Sequence, residues 1–162
     1  MSNSLTHSIY MTMMVEGAKI ARTRWEKEFL IWLADHNQSV IGLGIVGFDV
    51  CELGWIKEDF VAQKQFLLQL LKNAQANKTY AQHPIYLKEE FGETKITAIH
   101  SILEPLQVED VSEHPRMYYS PQKADKVEQC PIHEVYMNNL DEEQKYRCLL
   151  CEAELYAKQK PA

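Results

Sequence analysis

The chain has 162 residues, of which 46% are apolar and 25% are charged, and its formal net charge is −6. This composition is typical of a globular protein with its own core, and it excludes a wholly disordered chain. The acidic charge makes nucleic acid an unlikely partner, because phosphate binding needs clustered Lys and Arg, and it favours a basic protein partner instead. No apolar run approaches the roughly 20 residues of a membrane span. The N-terminus carries no signal-peptide pattern, so we expect a cytoplasmic protein with no membrane partner.

The N-terminal part of the chain is predicted to consist of a poorly ordered segment followed by a helix. We expect residues 1–14 to be poorly ordered, because they show few periodic cues. Apolar residues then recur at three- and four-residue steps, which predicts one amphipathic helix over residues 15–36. Its aromatic residues Trp25, Phe29 and Trp32 are interpreted as core, because a stripe at helical spacing is far more often buried than ligand-binding.

A glycine-containing segment follows and predicts β-structure. Residues 39–50 are rich in β-branched side chains, which favours one strand or two short ones. Gly42, Gly44 and Gly47 match the G-x-G-x-x-G spacing of dinucleotide-binding loops. That loop must open into a helix, whereas strand character continues here past the glycines. We therefore interpret them as glycines that permit a bulge or the close packing of a helix.

Two further helices complete the predicted main domain, which spans residues 15–107. A broad apolar stripe predicts a helix over residues 59–77, and a second repeat predicts a helix over residues 94–103 that ends before Pro105. With the strand near residue 45, these elements predict an α+β fold. The main domain is expected to be helix-rich with a small sheet, and a zinc-stabilised hairpin is expected to follow at the C-terminus.

Residues 108–129 are predicted to form a connector, because the segment contains two prolines, mixed charges and almost no aliphatic periodicity. Tyr118 and Tyr119 are its most prominent aromatic side chains. They are candidates for a partner-binding surface. Alternatively, they anchor the connector to the main domain by burying their rings.

The C-terminal residues 130–162 contain the most specific chemical pattern of the chain. Two residues lie between Cys130 and His133, and two lie between Cys148 and Cys151. Fourteen residues separate the two pairs. Two such pairs supply the four ligands of a tetrahedral zinc ion, so we predict a structural zinc site there. The alternatives are buried thiols beside a surface histidine, or a redox Cys-x-x-Cys motif at a helix N-terminus. Reduced cysteines in the cytoplasm favour the metal.

The same segment resembles zinc-ribbon and treble-clef knuckles, with Cys130, His133, Cys148 and Cys151 at the four ligand positions. Alternating residues after the first pair and before the second predict a short β-hairpin that carries the metal. The zinc module is expected to pack on the main domain.

Residues 42–68 resemble those of small bacterial immunity proteins from toxin–immunity pairs. The resemblance includes Gly54-Trp55 and the helical segment that begins at Asp59. It implies a non-catalytic inhibitor that neutralises a toxin by covering its active site, and the partner would be a basic toxin domain. The candidate acidic contacts are Glu89, Glu90, Asp141, Glu142 and Glu143.

The alternative function is a zinc-containing nucleic-acid enzyme or regulator, because treble-clef knuckles also occur in nucleases. Such an enzyme needs a histidine base and a second metal site with an open position. The sequence offers no nucleophile elbow, phosphate loop or second ligand cluster. We therefore expect no catalytic residues and a protein that is not an enzyme.

Overall fold

The computed structural model describes residues 3–38, 44–45, 49–82, 89–111, 127–137, 139–140 and 146–159. Most of these residues lie in six α-helices: α1 Asn3–Ile20, α2 Arg24–His36, α3 Phe60–Asn77, α4 Thr79–Gln82, α5 Glu89–Leu103 and α6 Leu149–Gln159. Short 3-10 turns cover Val50–Glu52, Lys57–Asp59 and Val108–Asp110. None of the helices in these ranges combines the length and the apolar character that a membrane span requires.

Helix α1 is the central element of the core, since it contacts α2, α3, α4 and α5. From Thr6 to Ala18 every residue except His7 is buried. Gly17 lies where the helices approach most closely, because a Cβ atom there would lie 2.5 Å from Leu30 Cδ2 and 3.1 Å from Leu70 Cδ1. The expectation of a poorly ordered N-terminus therefore does not hold for residues 3–14. A helix buried on all sides has no single apolar stripe, and this is why its period was missed.

The helix predicted over residues 15–36 is in fact two helices. The chain leaves α1 after Ile20 and starts α2 at Arg24. Thr23 Oγ1 accepts a hydrogen bond from the Glu26 N–H at 3.3 Å, and Glu26 Oε2 accepts one from the Thr23 N–H at 2.8 Å. These reciprocal bonds form a capping box, which satisfies backbone donors that the first turn of a helix leaves open.

An aromatic cluster joins α2 to α3, and it confirms the core interpretation of the α2 stripe. Trp25 and Phe29 stack with ring centroids 5.8 Å apart, and the edge of Phe66 meets both rings. Trp55 lies 5.5 Å from Trp25, whose indole N–H donates to the Gly54 carbonyl at 2.7 Å. The polar end of this large buried ring therefore has a partner.

A buried carboxylate connects α1 to the turn between α3 and α4. The Glu16 side chain is fully buried and accepts hydrogen bonds from Lys19 Nζ at 2.8 Å and Asn77 Nδ2 at 3.2 Å. The Thr79 hydroxyl donates a third bond. Lys78 adopts a left-handed conformation with φ 49° and ends α3, so that Thr79 can start α4. The carboxylate is thus satisfied inside the core, as burial of a charge requires.

The prediction of an α+β fold is wrong. The described strands are only two residues long: β1 Asn37–Gln38 pairs with β2 Gly44–Ile45, and β3 Asn139–Leu140 pairs with β4 Tyr146–Arg147. Such pairs form no sheet layer, and the described core consists of packed helices. A short apolar run has no period that separates a strand from other buried segments, which explains the error. Residues 39–43 and 46–48, with Gly42 and Gly47, lie outside the described residues.

The remaining helix predictions agree with the structure. The helix predicted over residues 59–77 is α3, and the one predicted over residues 94–103 is the C-terminal part of α5. Within the part of the chain that the structure describes, the predicted hairpin corresponds to the pair β3–β4 and one bridge between Gln129 and Tyr136. The boundaries 15–107, 108–129 and 130–162 stay predictions.

Candidate metal centre

The first ligand pair lies on a tight turn that the backbone closes. The Cys130 N–H donates to the Val135 carbonyl at 2.8 Å, and the Glu134 N–H donates to the Cys130 carbonyl at 2.9 Å. Glu134 has φ 56°, a left-handed conformation that reverses the chain after His133. The Ile132 N–H also points at Cys130 Sγ, at 3.4 Å. Two residues of spacing thus bring Cys130 and His133 to one side of the turn.

The second ligand pair lies at the beginning of α6. Cys148 directly precedes the helix, and Cys151 lies in its first turn. Residues three positions apart at a helix start fall on the same side, so both sulfurs face one point. Cys130 and Cys148 are buried, while Cys151 and His133 are partly exposed.

The four ligand atoms form a compact cluster, since all lie within 4.8 Å of one another. His133 Nδ1 lies 3.8 Å from Cys130 Sγ, 3.6 Å from Cys148 Sγ and 3.4 Å from Cys151 Sγ. The sulfurs of Cys130 and Cys151 are 3.6 Å apart. With Zn–S bonds of about 2.3 Å and Zn–N bonds of about 2.0 Å, two ligands of tetrahedral zinc lie about 3.5–3.8 Å apart. The cluster therefore has the dimensions of a four-coordinate metal site.

Glu154 is the neighbour of this cluster that the sequence analysis missed. Its Oε1 lies 2.9 Å from His133 Nε2, the ring nitrogen that faces away from the sulfurs. A carboxylate at this position orients the imidazole and directs the Nδ1 lone pair at the metal. The signal was present, because Glu154 follows Cys151 by three residues on one helix. This spacing indicates a contact with the metal centre only if the helix is known to start at Leu149.

Without a metal, the environment of the sulfurs separates their pKa values. The backbone N–H of His133, aided by that of Ile132, lowers the pKa of Cys130 to about 6. Burial raises the pKa of Cys148, and burial together with the neighbouring thiols raises that of Cys151 to about 12. The hydrogen bond that His133 donates to Glu154 raises the pKa of His133. At neutral pH one thiolate is therefore present before a metal arrives, and two thiols still carry protons.

The structure brings together all four predicted metal ligands, which confirms that these residues could hold a metal ion. Cys51, the remaining cysteine, lies elsewhere, with its sulfur 3.4 Å from the Asp110 carbonyl oxygen. Cys148 does precede a helix, as the redox alternative requires. However, Cys130 and His133 complete a set of four donors around the same point, and this is the arrangement of a metal site.

The predicted partner-binding side chains all lie outside what the structure describes. Glu89 and Glu90 are the first two residues of α5, and their side chains lie outside the described part of the structure. Tyr118, Tyr119, Asp141, Glu142 and Glu143 also lie outside the described residues. A partner surface built from these residues therefore stays a prediction.

The metal site is part of the core rather than an appendage. Cys130, Val135 and Cys148 belong to the same buried cluster as α1, α2 and α3. Lys27 of α2 places its ammonium group 4.4 Å from the centre of the Tyr136 ring, a cation–π contact between the helical body and the first turn.

No known protein family, curated protein or solved structure matches the chain.

Proposed function

We propose that this protein is a non-catalytic binding protein whose C-terminal segment is held by a structural zinc ion. The convergence of Cys130, His133, Cys148 and Cys151 within 4.8 Å carries the proposal. Four protein ligands fill every position of tetrahedral zinc, so no position remains for a water or a substrate. The metal then stabilises the fold instead of performing a reaction.

The donor atoms support zinc as the metal. Three thiolates and one imidazole are soft or borderline ligands, whereas magnesium and calcium bind oxygen. None of the four cysteines forms a disulfide. Thiols stay reduced in the cytoplasm, which supports the proposed location of the protein there.

The proposed partner is a basic bacterial toxin domain, which the protein would neutralise by occluding the active site. The resemblance of residues 42–68 to immunity proteins supports this role. The formal net charge of −6 supports it too, because an acidic surface steers a basic partner into encounter. Glu89 and Glu90, the first two residues of α5, are the first contacts to test.

The zinc part of the proposal is tested by metal analysis of two matched cysteine variants. We expect about one zinc per chain in the wild type and in Cys51→Ser, because Cys51 lies outside the site. Cys148→Ser should lose the zinc and melt at a lower temperature, since one of four ligands is gone. An unchanged melt of Cys148→Ser, together with a lost activity on nucleic acid, would instead indicate a catalytic metal.

The partner part is tested by co-purification and calorimetry with the product of the neighbouring gene. We expect association that weakens with added salt, because exposed charges are screened. Glu89→Lys combined with Glu90→Lys should reduce the association rate. Glu104→Lys combined with Glu109→Lys, which changes the charge equally at two exposed positions beyond the other end of α5, is the control. Absence of association between the two wild-type proteins would refute the immunity role and leave the zinc site untouched.

A further inference from the structure

The helical body encloses a cavity of about 410 Å³ that is separate from the metal centre. It lies between α1, α3, α5 and the segment that begins at Asp49. Its walls are formed by Ile9 and Met13 of α1, Leu53, Leu67 of α3, and Ile99 and Leu103 of α5. None of the metal ligands lines it. Its volume falls in the range of about 300–1,000 Å³ that is typical of small-molecule sites.

The walls of the cavity are apolar and belong to packed helices. Ile9, Met13, Leu67 and Leu103 are each no more than 2% exposed, so they are fixed by the core behind them. Ile9 and Met13 are four positions apart on α1, and Ile99 and Leu103 are four positions apart on α5. Each helix therefore presents an apolar face to the cavity. A site of this kind is preformed and binds apolar groups without reorganising the fold.

The polar residues of the described lining are Asp49, at the opening, and the buried Thr6 and Tyr10. Asp49 is exposed, and Ile102, which is 56% exposed, lies beside the same opening. Asp49 Oδ1 accepts a hydrogen bond from the Cys51 N–H at 2.8 Å, which fixes the carboxylate at the start of a 3-10 turn. Thr6 and Tyr10 add hydroxyl groups to the lining. No Lys, Arg or His is among the residues described as lining the cavity, so its only formal charge is negative.

We propose that this cavity binds a small aliphatic molecule that carries one cationic amino group. The aliphatic chain would lie along the walls formed by α1, α3 and α5, and the ammonium group would meet the Asp49 carboxylate at the opening. A charge-assisted hydrogen bond to a carboxylate is stronger than a neutral one. An anionic amphiphile of the same length would place its carboxylate against Asp49 and bind less well.

The proposal is tested by calorimetry of the zinc-loaded full chain with decylamine and decanoate, each below its micelle concentration. We expect decylamine to bind one molecule per chain, and decanoate to bind at least about tenfold more weakly because of charge repulsion. Asp49→Asn should weaken decylamine binding about tenfold while retaining an oxygen that accepts from the Cys51 N–H. Equal binding of the two compounds to the wild type would overturn the assignment of a cationic headgroup.

The location of the site is tested by filling the cavity. Ile99→Phe and Met13→Phe should both abolish decylamine binding, because each adds a ring where the chain would lie. Ile99 is only half-buried, so its variant is expected to fold even if Met13→Phe does not. Val61 of α3 is 72% exposed, so Val61→Phe is the matched control and should bind decylamine as the wild type does. Unchanged binding in folded Ile99→Phe, or no binding by the wild type, would overturn the proposal.

Discussion

At the scale of single residues, His133 is held between two partners of different chemistry. Its Nδ1 faces three sulfurs, and its Nε2 lies 2.9 Å from Glu154 Oε1. The carboxylate fixes the ring orientation and the tautomer that a metal would need. Glu154 therefore belongs to the metal centre although it provides no ligand atom.

We expect Glu154→Ala to lower zinc affinity by about 10–100-fold, as the loss of such outer partners commonly does. Glu154→Gln should lose less, because its amide oxygen still accepts from Nε2–H. Competition with a chromophoric zinc chelator measures the affinity. Glu128→Ala, which removes an exposed carboxylate two residues before Cys130, is the control. An affinity of Glu154→Ala equal to that of the control would show that the His133–Glu154 contact does not serve the metal.

At the scale of elements, the turn between α1 and α2 depends on one local motif. The sequence Thr23-Arg24-Trp25-Glu26 places a hydroxyl and a carboxylate three residues apart, and the structure uses both as a capping box. This motif lets α2 start in a new direction after α1, so that both helices can pack on α3.

Removing the cap should weaken the fold without changing its core. We expect Thr23→Ala to reduce the free energy of unfolding by about 1 kcal/mol, a typical cost for a lost N-cap. Ser101→Ala is the control, because it removes an exposed hydroxyl in the last turn of α5, and Ala is a better helix former than Ser. Urea denaturation measures both. Equal stabilities of the two variants would mean that the capping box contributes nothing to the start of α2.

An element or site could be predicted where its pattern is visible in the local sequence. Helix α3 has one apolar face and an exposed one, so periodicity alone located it to within one residue. Helix α1 has no exposed face over most of its length. Its sequence therefore lacks the change between apolar and polar residues at three- and four-residue steps that marks an amphipathic helix. The metal ligands were predictable because each pair is local and two residues of spacing suffice. Glu154 was not, because its role depends on the register of α6.

At the scale of the whole molecule, the metal centre packs against the helical core. Cys130, Val135 and Cys148 are buried in the cluster that α1, α2 and α3 build. The Lys27–Tyr136 contact adds a second connection between them. Metal binding should therefore stabilise the whole fold, because a ligand that binds only the native state raises its stability.

Metal binding should also release protons, and the pKa shifts define how many. At pH 7 Cys130, with a pKa of about 6, is already a thiolate, whereas Cys148 and Cys151 have raised pKa values and are protonated. Zinc must displace the protons of these two thiols and the proton that the raised pKa of His133 keeps on part of the imidazole, so we expect a release of about two to three protons and an affinity that rises with pH from 7 to 8. As the pH falls from 7 to 6, further protonation of His133, whose pKa is raised, and of Cys130 should steepen the loss of affinity.

Zinc titrations in buffers of different ionisation enthalpy measure this proton release. Cys51→Ser should release the same number of protons as the wild type, since it leaves the ligand set intact. An affinity that is independent of pH between 6.5 and 8 would exclude protonated thiols as ligands.

The central claim is that three sulfurs and one nitrogen close the coordination shell of a zinc ion. X-ray absorption at the zinc edge of the purified protein tests it most directly. We predict three Zn–S distances of about 2.3 Å and one Zn–N distance of about 2.0 Å, with no other atom in the shell. A shell that contains a water or carboxylate oxygen, or fewer than three sulfurs, would contradict a closed structural site.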